Sequence, residues 1–202
     1  MRRLRYFVKQ SCMVRGSECI ISVIPECWIA FALSLILIPL PWLAAWLGAA
    51  LFHEVAHCVS LFLCGRQIRG IVIGLNGAKI QTGNLTETET LLCAMAGPLG
   101  GLLLVLLADI YPRLAICAFA QSAFNLLPVY PLDGGRVLLG ATRIIFPERT
   151  ARYVCTLVKA ASLAGVLSLG FLGTFGWNLG MMPLLFSVLL ILKMWKIKIP
   201  CK

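Results

Sequence analysis

Apolar residues run along this chain in long stretches, interrupted by short clusters of charge, proline and glycine. A helix needs roughly 20 residues to cross about 30 Å of hydrocarbon, and six stretches approach that length: 20–38, 42–64, 90–108, 114–127, 154–172 and 178–192. Pro39 and Pro41 close the first, and Gly65-Arg66 the second. The fourth is short for a crossing, which a tilt or a non-helical continuation buried in protein would accommodate. The pattern predicts an all-α polytopic membrane protein of about six transmembrane helices, forming a single domain over residues 1–202.

Between the second and third stretches the period changes. Ile71, Ile73 and Leu75 alternate with smaller or more polar residues, as do Ala78, Ile80 and Thr82 on the far side of Asn76-Gly77. Asn-Gly between two alternating runs predicts a β-hairpin, because both central residues of the favoured turn need positive φ. Such a ribbon is either a simple connector or an edge strand that takes up an extended substrate by strand addition. Further on, Gly97-Pro98-Leu99-Gly100-Gly101 would break a soluble helix. In a membrane helix small residues let neighbouring backbones approach closely, so a structural role is expected there.

Composition agrees with this picture. The chain is 60% hydrophobic and 13% charged, against about half and a quarter for soluble domains, so the lipid bilayer is its first partner. A net charge of +10 raises nucleic acid as a ligand. The basic residues, however, punctuate apolar runs instead of sharing a face with stacking aromatics, and no nucleic-acid binding is expected. On a six-crossing topology only Arg113 of the 18 basic residues falls opposite the rest. That asymmetry predicts a multi-pass protein with both termini cytoplasmic. The nine cysteines form no C-x-x-C pair and sit mostly in apolar stretches, which reads as buried thiols in place of a disulfide framework. The basic start is followed by polar residues, so no cleavable signal peptide is expected.

The chemistry concentrates in one place. The two histidines of the chain form His53-Glu54-Val55-Ala56-His57 within the second stretch. Positions four apart share a helix face, so both imidazoles can bind one zinc ion while Glu54 serves as general base. Ionisable side chains are expensive inside an apolar span, and a metal gives this cluster a reason to be there. Catalytic zinc takes three protein ligands as a rule. Among the remaining carboxylates, Asp109 lies on the far side, Glu18 and Glu148 belong to charged flanks, and Glu87 and Glu89 read as acidic first-turn residues of a helix. Glu26, inside the first stretch, remains a candidate. Asp133 follows Pro128 and Pro131 and precedes Gly134-Gly135, an irregular backbone tolerated at membrane depth only when buried or lining a cavity. It is the best third ligand.

Together with His53-Glu54-Val55-Ala56-His57, the run Asn125-Leu126-Leu127-Pro128-Val129-Tyr130-Pro131-Leu132-Asp133-Gly134-Gly135 resembles the paired signature of the site-2 proteases, polytopic intramembrane zinc metalloproteases. Ala96-Gly97-Pro98 is similar to a third, weaker element, although Gly101 stands where many relatives carry asparagine. The likeness covers roughly residues 45–140. It implies His53, His57 and Asp133 as zinc ligands and Glu54 as catalytic base and acid. Asn125 is then either a substrate or transition-state contact or an interhelical hydrogen-bonding residue. The implied substrates are membrane proteins, with a regulatory membrane protein among the partners. The compact chain is similar to the minimal bacterial type of the inner membrane, including relatives of stage IV sporulation protein FB, which process a sigma-factor precursor. Two other readings remain. One is a membrane zinc peptidase of another kind, with a glutamate such as Glu148 as third ligand. The other is a non-enzymatic membrane scaffold or metal-binding protein.

Overall fold

The structure is a computed structural model that describes residues 20–74, 77–177 and 180–195. Both chain termini, Asn76 and the start of the sixth predicted span lie outside the described residues. The first element is not a helix. Ile20–Val23 forms strand β1, and helix α1 starts only at Pro25 and runs to Leu37. The reason is local and tertiary at once. β-branched residues favour extended backbone, and the residue before a proline is pushed away from the helical region. Pro25 then opens the helix with a φ already set for it. The extended residues find a partner in β2 (Ile68–Gly74), running parallel from Ile20↔Gly70 to Val23↔Ile73.

Strand β3 (Gly77–Thr82) pairs antiparallel to β2, so the expected two-stranded hairpin is the distal part of a three-stranded sheet ordered β1-β2-β3. Gly77 has φ of 100°, the conformation that the hairpin signal anticipated. The carbonyl of Ile73 accepts from Ile24 N–H at 3.0 Å, on the β1 side. Its cross-strand neighbour Ala78 therefore turns its own backbone groups away from β2, toward the edge of the sheet that is free among the described residues.

The helices follow as α2 (Leu40–Leu63), α3 (Glu87–Val105), α4 (Pro112–Asn125), α5 (Asp133–Ile145), α6 (Glu148–Phe171, continued by a π-helical turn, Leu172–Gly176) and α7 (Met182–Trp195). Three of these are long and apolar enough to cross a membrane: Leu40–Leu63, Glu87–Val105 and Glu148–Gly176. The other predicted crossings fall on α1, α4 and α7, helices of 13 or 14 residues, which by themselves reach only about 20 Å. Helix α5 is an element that the apolar runs do not announce. Val137, Leu138, Ile144 and Ile145 share one face of it and Arg136 and Arg143 the opposite one, an amphipathic pattern that a search for apolar runs passes over.

Large apolar side chains face outward, with Ile36 81% exposed and Phe62 and Leu63 each 79% exposed. Lipid, as apolar as these side chains, offers no reason to bury them. Where α2, α3 and α4 meet, the interior is packed by three small residues, Ala49, Cys117 and Ala118, around Leu104. Helix α3 opens with a reciprocal capping box between Thr86 and Glu89. Arg66, just past α2, grips the Glu89 carboxylate with two hydrogen bonds of 2.9 and 2.8 Å.

Pro98 is accommodated inside α3, and the glycines around it are points of close approach. A Cβ at Gly101 would overlap the hydroxyl of Ser122 on α4, a fully buried group with no hydrogen-bond partner. Overpacking of this kind costs about 1–3 kcal/mol. Gly101→Ala is therefore expected to lower the thermal midpoint in detergent. Adding Ser122→Ala should restore most of it, since the next atoms, Ala118 O and Ser122 Cβ, stand at 3.5 and 3.6 Å. A double variant no more stable than the single one would refute this account of the contact.

A candidate metal centre at the start of helix α5

Helix periodicity places His53 and His57 on one face of α2, and both are buried. Asp133 reaches them from the first residue of α5, also buried. Its Oδ2 lies 3.0 Å from His53 Nε2 and 3.2 Å from His57 Nε2, and the two Nε2 atoms are 3.2 Å apart. Ligand atoms about 2.0–2.1 Å from a shared tetrahedral ion stand roughly 3.3 Å from one another. The triangle thus has the dimensions of three corners of a zinc tetrahedron. Its chemistry agrees, because with neutral rings it gathers two imidazole lone pairs and a carboxylate oxygen, a set that only a cation satisfies. Among the described residues this is the one group of three or more His, Cys, Asp or Glu side chains with metal-ligand spacing.

The surroundings fix His57 better than His53. The Nδ1–H of His57 donates to the carbonyl of Cys93 on α3 at 2.6 Å, which selects the tautomer with its lone pair on Nε2. Nδ1 of His53 is buried with no partner, so that ring is held through Nε2 and by packing. The two rings meet edge to face, with centroids 4.8 Å apart.

Asp133 owes its position to the irregular segment before it. Val129 N–H donates to Leu127 O at 2.7 Å and Leu132 N–H to Val129 O at 2.9 Å, a tight turn that folds back over the start of α5. Gly134 and Gly135 make this possible. A Cβ at Gly134 would stand 2.7 Å from Leu127 O, and one at Gly135 2.7 Å from Tyr130 Cα, with still nearer backbone atoms at both. Val129 anchors the turn in a second core cluster with Leu163 of α6 and Met194 of α7.

Glu54, half-buried on α2 between the two histidines in sequence, accepts from the backbone N–H of Ala78 at 3.4 Å. The free edge of β3 therefore lies against Glu54, a neighbour that the motif does not reveal. Of the other residues singled out, Asn125 ends α4 and makes no hydrogen bond to His53, Glu54, His57 or Asp133. Glu26 is exposed in the first turn of α1 and is not among the three clustered side chains. Glu148 is committed to Arg143 through two hydrogen bonds of 2.9 and 2.8 Å. Its carboxylate keeps Arg143 protonated beyond the ordinary arginine range, with Glu87 4.0 Å from the same guanidinium.

No family model and no curated protein sequence matches the chain. Among solved structures it is similar to the Site-2 Protease from Methanocaldococcus jannaschii, with a TM-score of 0.58 at 16% identity, over 87% of this chain and 88% of that one. At this identity the likeness is one of fold, and the fold is that of a site-2 protease.

Proposed function

We propose that this chain is a zinc metalloendopeptidase of the site-2 protease family, cleaving transmembrane or membrane-associated proteins within the bilayer. The observation that carries the reading is the triangle of His53 Nε2, His57 Nε2 and Asp133 Oδ2, its two histidines on a helix long and apolar enough to cross a membrane, with a carboxylate beside it on that same helix. These three residues would hold the metal. A zinc ion bound there supplies the Lewis acidity that makes water nucleophilic near neutral pH.

The remaining steps belong to the chain's own groups. Glu54 takes the proton of the attacking water and returns it to the amide nitrogen as the peptide bond breaks. The hydrogen bond from Ala78 aims one carboxylate oxygen, leaving the other for proton transfer. The free edge of β3 adjoins Glu54 and receives an extended substrate by strand addition, which unwinds the substrate helix and exposes its amide. Asn125, near the start of the turn that carries Asp133, contacts substrate or the transition state. Six crossings, both termini cytoplasmic and a place in the cell membrane complete the proposal. A sigma-factor precursor is the substrate class to try first, on the resemblance to the minimal bacterial type, and a regulatory membrane protein is a further partner.

The test is cleavage of a tagged membrane substrate by the purified protein in proteoliposomes. Activity should vanish on treatment with a zinc chelator and return on adding back zinc. Cleavage that survives complete removal of metal, verified by elemental analysis, would rule the proposal out.

A further inference from the structure

Helix α3 contributes no ligand to the metal centre, yet it forms one wall of it at two points a turn apart. Cys93 receives the Nδ1–H of His57 through its carbonyl. At Gly97 a Cβ would stand 2.7 Å from His53 Nε2 and 2.6 Å from His57 Cε1, and would overlap His57 Nε2. Real Cβ atoms essentially never approach other heavy atoms within 3.0 Å.

We propose that Gly97 is a positioning residue of the metal centre: the space left by its missing side chain is what lets both imidazole nitrogens converge on Asp133. The inference rests on the metalloprotease reading of this site. The three atoms nearest to a Cβ at Gly97 all belong to rings, whereas a Cβ at Gly100 would meet the methyl of Ala56, fixed directly to the backbone, at 2.6 Å. A methyl group at position 97 therefore displaces rotatable side chains and leaves the spacing of α2 and α3 alone. His57 must turn away, which breaks its bond to Cys93 and swings Nε2 out of the triangle. His53 offers little resistance, since its Nδ1 has no partner. Position 97 precedes Pro98 within α3, where a Cβ also meets the proline ring in helical backbone, so helicity read on the same preparation separates loss of metal from a weakened α3.

The experiment compares wild type, Gly97→Ala and the Gly101→Ala/Ser122→Ala double variant in detergent, each titrated with zinc and with cobalt as a spectroscopic probe. Gly97→Ala is expected to elute as a single species with wild-type helicity. It should bind zinc about 100-fold more weakly, the upper end of what changes outside the ligand set cause, and lose the visible absorption of tetrahedral cobalt. The double variant, with the same methyl added one turn along the helix in the room left by the Ser122 hydroxyl, is expected to bind as wild type does. Wild-type affinity and cobalt spectrum in Gly97→Ala would overturn the proposal. So would an aggregated Gly97→Ala protein, because the clash would then lie in the backbone packing. Absence of metal binding by the wild type would overturn the metalloprotease reading itself, a result separable from any behaviour of the variant.

Discussion

Glu54→Gln is expected to abolish cleavage while leaving zinc content at the wild-type level. The substitution keeps the shape of the side chain and the oxygen that accepts from Ala78, so the approach of β3 to α2 is preserved. It removes the carboxylate that takes up and returns a proton. General acid–base catalysis contributes typically 10²–10⁴-fold, and here one group serves both steps, so a loss of at least about 10³-fold is expected. None of the three clustered atoms belongs to Glu54, which is why metal retention should be untouched. Zinc determined on the same preparation used for cleavage checks both halves. Turnover within tenfold of wild type would remove Glu54 from the mechanism, and lost zinc would make it part of the metal site.

Asp133→Ala is expected to strip the metal and the activity together. The substitution deletes the one anionic corner of the triangle and leaves two neutral imidazoles, so affinity should fall by more than the roughly 10- to 100-fold attributable to changes around a ligand set. Glu148→Ala makes the comparison decisive. Glu148 is held by Arg143 and Arg152 at the start of α6, so its removal should affect the packing of α5 against α6 and leave zinc bound. The reverse pattern, with zinc retained in Asp133→Ala and lost in Glu148→Ala, would favour a zinc peptidase with a glutamate as third ligand. Equilibrium titration against a competing chelator distinguishes the two.

The legible part of the site was the part encoded by local geometry. His53 and His57 share a helix face because 3.6 residues make a turn, whatever the rest of the molecule does. Asp133 is 80 residues from His53 in the chain, and no period links them. It could be reached only by setting the other carboxylates aside. Glu26 lay inside an apolar run and survived that elimination, but Pro25 starts α1 there and leaves the carboxylate exposed.

By itself, then, the sequence determined the apolar character of the helices, the capped start of α3, the strands flanking Asn76-Gly77 and the pair of histidines around Glu54. Each follows from residues within a few positions of one another. Only the tertiary structure decided that Ile20–Val23 is a strand, since hydropathy does not separate an apolar strand from a helix and its partner lies 50 residues on, as in Ile20↔Gly70. It also decided that Asp133 opens an amphipathic helix, that β3 adjoins Glu54, and that Gly97 faces the two imidazoles. These depend on which surfaces meet. That is settled by close packing of small residues between helices, and a pattern of apolar and polar positions along one helix does not specify its partner.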